Sequence, residues 1–377
     1  MWKAPSILVG IVLLLLALGI VMLASASSVK GADAHTDPTY FLKRQLIFLG
    51  VALVAGWVAA HVDYHSWQRA WIPLAVFSAA LLLIVLVPHV GVKIGGSRRW
   101  LKLGGFSFQP SELAKLATVI MLSAWMVQAG RKTARFVEGI VKPGMMLGVF
   151  LILIIREPDY GTTILIASVG FALLFVGGAR LGPLAIVATI GLAVFAVAVM
   201  HDPVRMGRIL AFLMPEKYPA AAYQLGQSKD AFILGGFGGC GLGESIQKHF
   251  YLPEAHTDFI LAIVGEELGL AATVLVVLLF GGILACGLTI ASHARDLYGR
   301  LLATGLTLTV VVQAAINVGV VTGCLPTKGL PLPFISYGGS SLVVSTIGVG
   351  MLLNIALQGL PDDSHLGDTA KDRAQWI

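Results

Sequence analysis

Apolar runs of about 20 residues recur from one end of this chain to the other, and a helix of that length crosses a hydrocarbon core of about 30 Å. Ten such stretches can be marked, at 7–26, 45–61, 71–88, 112–129, 143–156, 161–178, 182–200, 259–291, 299–323 and 335–358. Between them lies most of the charge, which is scarce: 12% of the 377 residues are charged and 57% are apolar. A soluble domain is about a quarter charged. The period-two alternation that a membrane barrel requires is absent. The expected fold is therefore all-α, a polytopic integral membrane protein with about ten transmembrane helices.

The N-terminus, with Lys3, an apolar run from Ile7 to Leu23 and then Ala24-Ser25-Ala26, has the outline of a signal peptide. The run is longer than a signal core and more spans follow, so it reads as the first transmembrane helix. Spans five and six are short and separated only by Arg156-Glu157-Pro158-Asp159-Tyr160, while the eighth is long enough to tilt or project. Residues 1–358 form one transmembrane domain with a long loop at 201–257, and 359–377 form a short polar tail.

An even number of spans places both termini on one side. Lys3, Arg69, Arg131, Lys132, Arg135, Lys142, Arg180, Arg295, Arg300, Lys371 and Arg373 fall there, against Lys30, Lys43, Arg44, Lys93, Arg98, Arg99, Lys102 and Lys328 opposite. Long loops translocate largely regardless of charge, so 201–257 does not enter this comparison. The bias favours cytoplasmic termini only slightly, and cations on the translocated side call for an anionic ligand there.

The loop 88–111 is the main case. It carries Lys93, Arg98, Arg99 and Lys102 with no acid, interleaved with Trp100, Phe106 and Phe108. Such a segment suits anionic headgroups of membrane lipids or, alternatively, a lipid-linked diphosphate, which Arg can grip bidentately. Gln109-Pro110-Ser111-Glu112 then opens a span, with Ser111 as a cap and Glu112 one turn from Lys115. Asp159 stands where it can cap the next helix or serve a site.

Gly236 to Gly241 match G-x-G-x-x-G, but neither a strand nor a βαβ unit surrounds them, so a nucleotide fold is excluded. The glycines instead imply tight turns or close approach to a ligand, with Gln247 and Lys248 following. Cys240, Cys286 and Cys324 have no metal spacing. No disulfide framework is expected, and whether Cys240 and Cys324 meet is left open.

Most of the functional reading gathers on Leu252-Pro253-Glu254-Ala255-His256-Thr257-Asp258-Phe259-Ile260, a polar segment that runs straight into an apolar span. Asp258 stands where water gives way to hydrocarbon, a costly place for a charge unless paired or used. It is either a helix N-cap or a working carboxylate. Glu266 and Glu267, deeper in the span, need cations among Lys115, Arg156, Arg205 and Arg208, and Gly265 leaves room on Asp258's face of the helix. The last loop, 325–341, holds three prolines and three glycines with Lys328, Ser336, Ser340 and Ser341. Irregular backbone at membrane depth is tolerated only against protein or a water-filled cavity.

Gly-Ser-Arg-Arg-Trp at 96–100, Gln-Pro-Ser-Glu at 109–112, Asp159 with Gly161-Thr162, the 252–260 segment with Gly265-Glu266-Glu267-Leu268-Gly269, and Leu332-Pro333-Phe334-Ile335-Ser336-Tyr337-Gly338-Gly339-Ser340-Ser341 together resemble the SEDS family, FtsW/RodA/SpoVE. The likeness extends over about 7–358, and the 241–256 segment is more similar to the division members than to the elongation members. Gly96-Ser97 departs mildly from the Asn-Gly-Ala frequent there.

The resemblance implies a ten-span peptidoglycan glycosyltransferase in the bacterial cytoplasmic (inner) membrane. It would polymerise lipid II into glycan strands on the outer face, with a class B penicillin-binding protein and other division proteins as partners and no nucleic acid. The family's essential aspartate falls on Asp258 and its basic and polar blocks on Arg98, Arg99, Gln109, Ser111, Glu112 and Lys115. With the polar residues of the other segments, the candidate substrate-binding set becomes those six plus Asp159, Lys248, His256, Thr257, Ser336 and Ser340. A carboxylate can take the acceptor hydroxyl's proton, and Arg and Lys can meet the growing charge of a diphosphate leaving group. Asp258 is the expected base, with Glu112 its competitor. The sequence points to no definite cofactor, and a divalent cation (Mg or Mn) would suit the diphosphate. The other classes carried forward are a lipid II flippase and a non-catalytic division scaffold, together with an elongation rather than a division role.

Overall fold

The computed structural model describes residues 3–94, 97–104, 106–249 and 251–359. Helices α1 (Lys3–His35) and α2 (Tyr40–His61) lead through a short α3 (Tyr64–Arg69) to α4 (Trp71–Leu86). Strands β1 (Gly91–Ile94), β2 (Ser97–Leu103) and β3 (Phe106–Phe108) follow, then α5 (Pro110–Ala129) and, past a 3-10 turn and a π turn, α6 (Lys142–Arg156). Next come α7 (Tyr160–Val176), α8 (Leu181–Met200), α9 (Pro203–Leu213) and α10 (Pro219–Gly235). The chain closes with α11 (Ile260–Ser292), α12 (Leu297–Val321) and α13 (Gly339–Gln358).

Each of the ten expected spans is met by a helix. Among the described residues eight helices are long and apolar enough to cross a membrane, and α4 and α7 are shorter apolar helices of 16 and 17 residues. The tail 359–377, beyond Gly359, and Gly96 lie outside the described residues.

Two polar segments are more ordered than loops. Strands β1, β2 and β3 form a three-stranded antiparallel sheet in that order, a local departure from an all-helical chain. The 201–257 segment contains α9 and α10. Asp202 starts α9 by accepting from the amides of Val204 and Arg205, with Pro203 at the first helical position, and Pro219 opens α10 in the same way.

Where helices cross most closely, small residues make room, as in membrane bundles generally. A Cβ on Gly350 of α13 would stand 2.2 Å from the Gly56 carbonyl of α2. Buried amides then tie irregular backbone to the helices: Gln313 Nε2 donates to Pro331 O at 2.8 Å, and Gln45 Nε2 to Ser336 O at 3.3 Å.

Helix α11 is broken at Gly269, whose φ of 78° and ψ of −175° suit glycine alone. The break frees carbonyls on one side and amides on the other, and the glycine-rich 236–241 turn takes up both. Cys240 N and Gly241 N donate to Glu266 O and Glu267 O at 2.9 and 3.1 Å, and Leu270 N donates to Gly236 O at 3.0 Å. A Cβ on Gly239 would come 2.2 Å from Glu267 O. The close approach expected of these glycines is therefore to the chain's own backbone. Gly265 likewise faces the Phe232 ring, 2.3 Å from a built Cβ, and leaves no room for a ligand.

Candidate active site

The starts of α5, α7, α11 and α13 and the loop 325–337 converge at one end of the bundle, around a cleft of about 110 Å³ that opens to solvent. Arg99 of β2, Arg205 and Arg208 of α9, Lys328 and Gly329 of the last loop, and Pro158, Asp159 and Tyr160 line it. Four of these residues are cations. Arg205 is fixed by donating from Nη2 to Pro158 O at 3.0 Å and by lying 5.7 Å from the Tyr160 ring centroid.

Asp258 stands beside this wall. A Cβ on Gly329 would lie 2.7 Å from its Oδ2, so carboxylate and cleft backbone are in contact. The cap position of α11 is Phe259 without a side-chain cap bond, and among the described residues no donor bonds the Asp258 carboxylate. Capping does not explain it. Its main chain is fixed instead: Asn317 Nδ2 donates to both Asp258 O and Leu330 O at 2.7 Å. Burial pushes the Asp258 carboxyl up to about 7, aided by the Glu254 charge and opposed by Arg99 and Arg208.

The other expected site residues divide by position. Arg99 reaches Asp159 with Nη1 at 3.6 Å from Oδ2. Arg98 is exposed, because neighbouring residues of a strand face opposite ways; it does not join Arg99 at the cleft. Asp159 lines the cleft and also caps α7, accepting from Thr162 N at 3.1 Å and Thr162 Oγ1 at 2.9 Å. Gln109 Nε2 donates to Asp159 Oδ2 and to Ser111 Oγ at 3.3 and 2.9 Å. Ser111 does not cap α5, since Gln109 holds the cap position and Pro110 the first turn.

Glu112 and Lys115 form a buried ion pair of 2.7 Å within the bundle, closed by Gln313 Oε1 at 2.6 Å from Lys115 Nζ, and neither lines the cleft. Ser340 Oγ accepts from Gln109 N at 3.1 Å. Ser336 Oγ accepts from Leu332 N and donates to Thr257 O, at 2.8 and 2.6 Å. Thr257 Oγ1 turns back to Glu254 Oε2 at 3.0 Å. The buried His256 ring packs against Phe41 and Tyr337, and burial together with Lys30 pushes it down to about 4. These four residues shape the loops that carry Asp258.

Lys248 lies elsewhere. Its Nζ pairs with Glu267 Oε1 at 3.2 Å, bonds Ser25 Oγ at 3.1 Å and donates to Gly243 O. Glu266 accepts from Ser245 Oγ at 2.5 Å and Ile246 N at 2.8 Å. The two acids are thus served by 245–248 and by Ser25 Oγ, which donates to Glu267 Oε1 at 2.6 Å, and neither Arg205 nor Arg208 serves them. Lys248 is consumed in the fold, so its expected role at a substrate is corrected.

Sequence reasoning gave Arg205 and Arg208 the wrong partners and passed over Asn317 and Gly329. Arg205 and Arg208 lie one turn apart on an otherwise apolar helix, and Asn317 stands one turn from Gln313, a pair of amides inside a span. Both were available signals. Cys240, Cys286 and Cys324 are all free thiols. Among the described residues no three His, Cys, Asp or Glu side chains converge on a common point for an ion.

Fold and site define a polytopic helical membrane protein with a cation-lined cleft and an uncapped carboxylate at one end of the bundle. The sequence model of the family described as cell cycle protein, FtsW/RodA/SpoVE, matches residues 5–359, and the chain belongs to that family. It is 43% identical over 352 residues to the probable peptidoglycan glycosyltransferase FtsW of Trichlorobacter lovleyi, covering 93% of this chain and 92% of that one. It is 42% identical over 353 residues to stage V sporulation protein E of Bacillus subtilis, covering 93% and 96%. Among solved structures, one described as structural coordination of polymerization and crosslinking by a peptidoglycan synthase complex superimposes with a TM-score of 0.78 at 29% identity, covering 96% of this chain and 99% of that one. The crystal structure of Thermus thermophilus rod shape determining protein RodA gives 0.71 at 29% identity, covering 94% and 97%.

Proposed function

We propose that this chain is a peptidoglycan glycosyltransferase that polymerises lipid II, with Asp258 as general base and the cleft cations on the lipid diphosphate. The observation that carries the roles is the Asp258 carboxylate: it caps nothing, accepts no hydrogen bond among the described residues, and touches Gly329 of the cation-lined wall. The membership and the relatives above support the activity.

In the reaction an acceptor sugar hydroxyl attacks the anomeric carbon of the donor. The new glycosidic C–O bond forms as the bond to the diphosphate breaks, and the hydroxyl proton passes to Asp258. A base near pKa 7 matches neutral conditions, where ionised fraction and basicity are both substantial. The leaving diphosphate gathers charge, and Arg99, Arg205, Arg208 and Lys328 are the groups placed to meet it. A single displacement of this kind inverts the anomeric centre.

The cleft opens on the extracytoplasmic side of the cytoplasmic membrane, with both termini inside. A class B penicillin-binding protein cross-links the product, a reading supported by the likeness to a synthase complex in which polymerization and crosslinking are coordinated. Relatives named FtsW and stage V sporulation protein E favour a septal role. The test is glycan synthesis from lipid II by the purified protein with its transpeptidase partner. Asp258→Asn is expected to lower the rate by roughly 10²- to 10⁴-fold, the usual worth of a positioned base. Near-normal polymer from Asp258→Asn would end the base assignment, and no polymer from a folded wild-type complex would favour lipid transport.

A further inference from the structure

In the turn between α6 and α7, behind the cleft wall, lies a carboxyl group that the mechanism above does not use. Glu157 is fully buried, and neither of its oxygens has a hydrogen-bond partner. Ionised carboxylates are not sustained in such a place without a partner; the group carries a proton instead. Its charged neighbours are Asp159, two residues on, and Arg99 from β2. Arg205 of α9 holds the adjoining Pro158 carbonyl, while Arg208 and Lys328 stand on the cleft wall and Asp258 beside it.

Arg99 is under-used in a complementary way. Its Nε is buried without an acceptor, and its Nη1 stands 3.6 Å from Asp159, beyond hydrogen-bond length. Asp159 is already engaged by Thr162 and Gln109. The cleft wall therefore holds a guanidinium with unspent donors, placed at Asp159, and two residues back from Asp159 lies a carboxyl with unspent acceptors that feels its charge.

We propose that Glu157 is a positioning residue for Arg99: while protonated it leaves the guanidinium free for the oxygens of an anionic ligand, and on ionising it captures that guanidinium. The inference rests on reading the cleft as a diphosphate site. Burial pushes the Glu157 carboxyl up to about 9, with the Asp159 charge adding and Arg99 opposing. The protonated state thus holds at neutral pH, and a negative charge appears behind the wall as pH rises past that value.

The experiment uses the full-length protein and inorganic pyrophosphate as the probe, comparing wild type with Glu157→Gln and Glu157→Leu at neutral pH and above the midpoint of about 9. Titration of the probe and of the remaining cations is common to all three proteins and cancels in the ratio of affinities. A charge arising within about 10 Å of the anion at an effective dielectric near 20 weakens binding by on the order of tenfold. The wild-type-to-variant ratio should fall by that factor across the interval; a ratio that stays flat overturns the proposal, since a purely structural role shifts both ends equally. Infrared difference spectra of wild type against Glu157→Gln at neutral pH should show the stretch of a protonated carboxyl. A missing band with binding intact overturns the role of Glu157, whereas the band present with no pyrophosphate bound by any protein overturns the diphosphate reading and, with it, the ligand side of this inference.

Discussion

Replacing Asn317 with alanine separates the placing of Asp258 from its chemistry. Asn317 is buried in α12, and its amide donates at 2.7 Å to both Asp258 O and Leu330 O. Truncation leaves two acceptors without their donor, at about 1–3 kcal/mol each where water cannot replace it. The Leu330 bond is the more deeply buried of the two, so most of the loss falls there and on the loop that carries Gly329. A loop that relaxes to recover this energy carries Asp258 and Gly329 apart. Misplacing a reacting group by about 1 Å costs roughly 10²-fold in rate. Initial rates of glycan synthesis across lipid II concentrations, with thermal unfolding measured in parallel, should show kcat falling by about 10- to 100-fold. KM should change little, because Asn317 does not line the cleft. Lost thermal stability with an unchanged kcat would refute the reasoning and leave Asn317 as glue between two loops.

Activity should rise with pH through about 7, since the base works when ionised and its carboxyl is raised to that value. The Glu254 charge helps raise it and Arg208 opposes, so Glu254→Gln should move the midpoint of the pH–rate profile down and Arg208→Gln should move it up. Gly329→Ala puts a Cβ 2.7 Å from Asp258 Oδ2; the rate should fall about tenfold or more while the unfolding temperature, at this exposed glycine, stays near wild type. Arg99→Ala should raise KM for lipid II well beyond Arg98→Ala, because only Arg99 lines the cleft; equal effects would contradict the strand's facing.

Hydropathy is a local property, and so the spans were legible: each of the ten apolar stretches contains a helix. The prominence of Asp258 was legible too, because a carboxylate at the lip of an apolar run has few comfortable alternatives. Which cations surround it was not. Arg98 and Arg99 are indistinguishable in sequence until β2 sends them to opposite faces. Lys248 looked available until the kink in α11 brought Glu267 within 3.2 Å of it. Arg205 and Arg208 sat in what read as a loop, and only α9 turns them to one wall. Long-range pairing of charges depends on how helices pack, and a single chain written in order does not reveal that.

The break at Gly269 makes α11 two mechanical parts. Its outer piece, Ile260–Leu268, is not locked along the axis to the long remainder, because the hydrogen-bond ladder is interrupted between them. Its register is held by the 236–241 turn, and beyond it by the 245–248 strap on Glu266 and Glu267. Asp258 is thus mounted on a short lever clasped by the glycine-rich turn. A sideways displacement of that turn would act on Asp258 through the outer piece alone, against the hold of Asn317 on Asp258 O, while the interruption at Gly269 gives bending deeper in the helix no continuous hydrogen-bond path to it.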